Sequence, residues 1–305
     1  MTTTILVHSD EYSNWVFDPT HPTQGRRFAN GYDMIVKGPG VRVIEPRLAT
    51  YEELATVHGP TYLSQVLHSH VSGEWDGPRP DLARLAQLFV GGTLDALDAL
   101  LDGEALLAVH LPGAKHHAMR DYSSGFCVFA DFAIAARKAS NLGLKVAILD
   151  IDAHHGDGTE ELTKNNLSIL TFSVHHYGIF PGTGESSDPA RRVFNRPLHA
   201  GDGDDSLLDA VKEFTALTET FQPDIIFVAG GADGHARDPL SGLEYTCLGM
   251  KNAMRAVRAA HPSTPILFGG AGGYCPDLET PTSWASMVSG LRAAGSAIPL
   301  RTPTM

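Results

Sequence analysis

The most constraining feature of this chain is a set of short, almost continuously apolar runs, each followed at once by a polar, glycine-rich cluster. ILVH, VAILDID and IIFVAG are the clearest. Runs of this kind suit strands buried on both faces, as in a parallel sheet covered by helices. Strands are expected at Thr4–His8, Ala105–His110, Lys145–Asp152, Leu167–His175, Asp224–Gly230 and Ile266–Gly270. Helix-like segments lie between them at Asp81–Leu101, Phe129–Asn141, Asp205–Phe221 and Cys247–Ala260, and another follows at Ser283–Ala293. The alternation implies βαβ units and an α/β fold. No repeat, low-complexity tract or linker divides the chain, so residues 1–305 read as a single domain.

In an open α/β sheet, ligands bind at the carboxyl ends of strands. Five apolar runs end in chemically rich segments: LPGAKHHA, DIDAHHGDG, SVHHYGIFPGTG, GGADGHARDPL and GGAGGY. Five such ends point to one shared site. Composition then excludes several partners. The 23 basic and 35 acidic side chains leave a net charge of -12, with no basic stripe to track a phosphate backbone. Nucleic acid is not an expected partner. No run of about 18 apolar residues exists to span a membrane. The start, MTTTILVHSDEYS, has no basic region and does not read as a signal peptide. Three scattered cysteines, Cys127, Cys247 and Cys275, form no CxxC pair and suggest a reducing compartment. Cytoplasm is the expectation, and the oligomeric state is not legible.

Histidine is abundant, at 15 residues, and occurs as doublets at 116–117, 154–155 and 175–176. If the strand runs through DIDAHH, then Asp150, Asp152 and His154 share one face. Carboxylate and imidazole are ordinary zinc ligands, and a catalytic site needs three protein ligands and an open position. Asp152 and His154 are candidate ligands, although the same segment also reads as the cap of the helix GDGTEELTK. Asp233 is the natural third ligand, or else a turn residue. Asp150 reads as a carboxylate orienting an imidazole from behind. His116 and His117 can supply an acid and a base, with Asp150 and Asp157 each taking one imidazole N–H, or they lie on a solvated loop. Tyr274, after Gly269-Gly-Ala-Gly-Gly, can donate a hydrogen bond to a developing oxyanion. Phe126 and Phe180 either wall a narrow apolar channel or belong to the core. GAGGYC is not a dinucleotide fingerprint, since Cys275 stands where a glycine is required.

Together these segments resemble the zinc-dependent deacetylase family of histone deacetylases, acetoin utilisation proteins and acetylpolyamine amidohydrolases. HPTQGRR resembles the family's HPxxxxR start, with Arg27 in the arginine place. EELATVHGPTY, KHHAMRDYSSGFC, DIDAHHGDGTEE, SVHHYGIFPGTGE, GADGHARDPLSGL and GAGGY follow in the family's order. The resemblance covers nearly the whole chain. It implies a three-layer fold of arginase/deacetylase type, with an eight-stranded parallel sheet flanked by helices. It implies hydrolysis of an acetyl or other short acyl amide on acetyl-lysine or a small acetylated amine. Asp152, His154 and Asp233 would hold one zinc ion, and His/carboxylate sites accept ferrous iron as well. His117 would be the base and acid, His116 its partner imidazole, and Tyr274 the carbonyl's hydrogen-bond donor. Gly125, Phe126 and Phe180 would line the acyl channel, with Leu240 at its gate and Asp76 at the rim. Asp150, Asp152, His154, Ser173 and Val174 look like the family's potassium site. Lys115, Ala271 and the segment Ala229-Gly230-Gly231-Ala232 depart from the family pattern without removing a reacting group. A two-metal ureohydrolase is disfavoured, since its DxHxD motif would need an Asp where Gly156 stands. A binding module of the same fold would be expected to lack Tyr274.

Overall fold

A computed structural model describes residues 3–292. Eight strands form one parallel sheet: β1 Thr4–Val7, β2 Val41–Ile44, β3 Leu107–His110, β4 Val146–Asp150, β5 Ile169–His176, β6 Val193–Leu198, β7 Ile225–Ala229 and β8 Ile266–Gly269. Their order across the sheet is β2-β1-β3-β8-β7-β4-β5-β6. β1, β3, β4, β7 and β8 are buried along their whole length, as expected for strands covered on both faces.

Nine helices accompany the sheet among the described residues: α1 Arg26–Ile35, α2 Tyr51–Ala55, α3 Pro60–Leu67, α4 Pro80–Leu101, α5 Asp131–Asn141, α6 Asp157–Thr163, α7 Asp204–Phe221, α8 Cys247–Ala260 and α9 Glu279–Leu291. They form two packed groups. α1, α9, α8 and α7 touch in that sequence, and so do α3, α4, α5 and α6. Between them lies an apolar core that includes Phe132, Phe227, Phe268, Met254 and Trp284. Local chemistry sets several helix starts. Thr50 and Glu53 form a reciprocal capping box at α2, Pro60 opens α3, and the Thr246 hydroxyl caps α8.

The structure departs from the sequence reading in several places, among them the helices α1, α2 and α3, which were not expected. β2 and β6 were not expected. Both are edge strands, half exposed, and Arg42, Asn195 and Pro197 interrupt their apolar pattern. β4 stops at Asp150 instead of Asp152, so Asp152 and His154 sit on the turn beyond it. Strand alternation therefore does not bring the acids and histidine together. The last helix begins at Glu279, and Ala293, its expected end, lies outside the described residues.

The order of strands places the site. The five runs with polar ends are β3, β8, β7, β4 and β5, and these five are adjacent in the sheet. Their carboxyl ends form one continuous row.

Candidate active site

Asp152, His154 and Asp233 meet at the centre of that row, with one donor atom from each lying within 4.8 Å of the others. Asp233 Oδ2 is 2.8 Å from His154 Nδ1, and Asp152 Oδ1 is 3.2 Å from it. The remaining carboxylate oxygens take backbone amides. Asp152 Oδ2 accepts from Gly272 N at 2.6 Å, and Asp233 Oδ1 from Ala153 N at 2.9 Å. Gly272 makes this approach possible, since a Cβ there would lie 2.5 Å from Asp233 Oδ2 and 2.6 Å from Asp152 Oδ2. Asp152 is 1% exposed and Asp233 fully buried.

Two carboxylates in so dry a place need positive charge nearby. Burial and the Asp152 charge push Asp233 up to about 7. Burial opposes the charged form of His154, but Asp152 and Asp233 outweigh it and raise the imidazole to about 11. Asp152, His154 and Asp233 are the residues that would hold a cation here. Two carboxylates and one imidazole are a fitting donor set for zinc or a similar divalent ion.

The histidine doublet follows β3. Asp131, at the start of α5, accepts the amides of Ala114 and Lys115 at 2.9 and 2.7 Å and thereby shapes the turn that presents it. His116 Nδ1 lies 2.7 Å from Asp150 Oδ2, and His117 Nδ1 lies 2.7 Å from Asp157 Oδ1. Burial disfavours the charge on both rings, yet they diverge. Asp150 and Asp152 lift His116 to about 9. Burial and the His116 charge depress His117 to about 4. At neutral pH His117 is therefore an unprotonated imidazole whose Nδ1 is engaged.

A cavity of about 390 Å³ opens above the cluster, lined by His117, Gly125, Phe126, His154, Ile179, Phe180, Leu240 and Tyr274. The lining is mostly apolar with a few polar groups, the usual make-up of a small-ligand site. Burial and the Asp233 and Asp152 charges keep Tyr274 protonated far above its ordinary range, so it is a donor.

Asp76 is not part of this lining; it stays exposed on the loop before α4. The carboxylate that reaches the channel wall is Glu74, which accepts the Phe126 amide at 2.8 Å. Trp75, buried between them in sequence and bonded to the His70 carbonyl, separates the two carboxylates. Among the candidate potassium ligands, Asp150 and Ser173 are register partners on β4 and β5, and Val174 is buried next along β5. The Ser173 hydroxyl is 2.9 Å from His175 Nδ1, and Asp150 Oδ1 accepts the Asp152 amide. Glu74, Asp131 and Asp238 were missed in the sequence, where nothing marks an acid that binds a distant backbone amide.

The sequence matches the histone deacetylase domain over residues 21–291. This chain belongs to the histone deacetylase family. Its relatives include the acetoin utilization protein AcuC of Bacillus subtilis (strain 168), 33% identical over 93% of this chain and 81% of that protein. The AcuC of Staphylococcus aureus (strain MRSA252) is 30% identical over 92% of this chain and 80% of its own length. Histone deacetylase 8 of Xenopus laevis is 32% identical over 85% and 86% of the two chains. The parallel eight-stranded sheet flanked by helices is the architecture the family resemblance implies.

Proposed function

We propose that this chain is a zinc-dependent deacetylase that hydrolyses the amide between an acetyl or other short acyl group and an amine such as the lysine side chain. The observation that carries this reading is the buried Asp152–His154–Asp233 cluster at the floor of an apolar cavity that also holds His117 and Tyr274. Asp152, His154 and Asp233 would hold a divalent cation, which when bound would supply acidification of water and polarisation of a carbonyl. The chain's own groups do the rest. The unprotonated His117 takes a proton from the attacking water, with Asp157 fixing its ring. Tyr274 donates to the carbonyl oxygen as negative charge develops there. His117 then returns the proton to the departing amine. Phe126 and Phe180 flank the substrate's alkyl stem and exclude water. The net charge of -12 favours encounter with cationic peptides and amines alike. The reading also includes potassium at Asp150, Asp152, His154, Ser173 and Val174, and a cytoplasmic setting. Turnover of an acetyl-lysine reporter, abolished by a chelator and restored by zinc or ferrous iron, tests it. A metal-loaded protein that binds acetyl-lysine without hydrolysing any acylated amine would overturn it.

A further inference from the structure

One peptide group in the loop after β8 is held at both ends by buried charged side chains. The Gly273 carbonyl accepts a hydrogen bond from Arg27 Nη1 at 2.6 Å. The Tyr274 amide of that same peptide donates to Asp238 Oδ2 at 2.7 Å. Arg27 is 2% exposed and Asp238 is 6% exposed. The other oxygen of Asp238 accepts the Leu240 amide at 3.0 Å. A single carboxylate thus ties Tyr274 to Leu240 across the channel wall.

The hold answers a local weakness. Gly273 has φ +132°, a region that glycine reaches without cost but that restrains nothing by itself. Ala271 precedes it at φ +49°. A loop built this way gives the next side chain no fixed direction unless something grips its backbone. We propose that Asp238, with Arg27, is a positioning residue that fixes the Gly273–Tyr274 peptide and so keeps the Tyr274 phenol turned into the channel. The idea rests on the reading of Tyr274 as the carbonyl's donor. The carboxylate is required because both of its oxygens accept an amide hydrogen. An asparagine offers one acceptor and turns an NH₂ towards the other N–H.

The test pairs kinetics with a direct view of the ring. Asp238→Asn should lower kcat roughly 10- to 100-fold, the cost of slight misplacement, with KM and bound metal little changed. Combined with Tyr274→Phe it should add no more than about twofold to the loss from Tyr274→Phe alone, because both act through one phenol. The ¹⁹F spectrum of protein carrying 3-fluorotyrosine at position 274 should show one sharp line in the parent and a broadened or split line with Asp238→Asn. An unchanged fluorine line, or kcat losses that multiply independently in the double variant, would overturn the positioning role. If Tyr274→Phe keeps full turnover, the donor reading fails instead, and the fluorine line still decides whether Asp238 holds the ring.

Discussion

His116 and His117 are chain neighbours whose ring centroids lie 4.0 Å apart, and their surroundings drive their proton affinities in opposite directions. His116 faces two acids and is lifted to about 9, while His117 is held near 4. At neutral pH the first imidazole is charged and the second is neutral. His117→Ala should therefore lower kcat by about a hundredfold or more, the scale of lost acid–base help. Steady-state turnover with metal content measured in parallel checks this, and a near-normal rate would remove His117 from the chemistry.

Asp233 Oδ2 lies 2.8 Å from His154 Nδ1, where it would supply one ligand oxygen, and its other oxygen accepts the Ala153 amide beside the second acid. Asp233→Ala should empty the site. Elemental analysis is expected to find about one catalytic ion per chain in the parent and none in the variant. A variant that stays fully loaded and active would make Asp233 a turn residue.

Gly125 has φ +55°, and a Cβ there would stand 2.4 Å from His117 Cδ2 and 2.9 Å from Phe180 Cε1. Gly125→Ala should displace the His117 ring and cut kcat about tenfold or more. Parent-like kcat would mean that the loop yields without moving the base.

His58 lies outside the reacting groups and tests the electrostatics of the fold. Its Nε2 accepts the Ala130 amide at 3.0 Å, and its Nδ1 lies 3.3 Å from the Arg120 carbonyl, an arrangement suited to the neutral ring. Burial lowers it from 6.5 to about 4. The unfolded chain therefore takes up this proton first. The contribution to stability is whole above pH 6.5 and is lost as pH falls towards 4, by at most about 1.4 kcal/mol per pH unit. His58→Gln should be less stable than the parent at pH 7, with the gap narrowing by pH 4.5. Urea unfolding midpoints at the two pH values measure it; a constant gap would refute the shift.

The central strands were legible because burial on both faces leaves runs such as IIFVA nearly free of polar residues. β2 and β6 were hidden because an edge strand has one wet face, and there VRVI and VFNRPL carry charge, amide and proline. The meeting of Asp152, His154 and Asp233 was legible by residue type and spacing, but not through strand alternation. Asp152 and His154 converge through a turn beyond β4, with Asp152 Oδ1 accepting the His154 amide at 3.0 Å. Glu74 shows the same limit, since nothing near it in the sequence announces its bond to the Phe126 amide 52 residues away. Asp238 and Tyr274 are 36 residues apart, and no local pattern announces a hydrogen bond between them.

The row of five strand ends has an evolutionary consequence. Each part of the site arrives on a separate loop, and the loop from β5 brings Ile179 and Phe180 without carrying a ligand or either histidine of the doublet. The base of that loop is tied down, with Thr183 bonded to His155 Nδ1 at 2.8 Å and the Gly184 carbonyl to His175 Nε2 at 3.0 Å, which leaves the exposed tip around Phe180 as the part free to change. Diversification of the acylated amines hydrolysed by descendants of such a chain is therefore expected to be written first at Ile179 and Phe180, as a change of clientele without a change of trade.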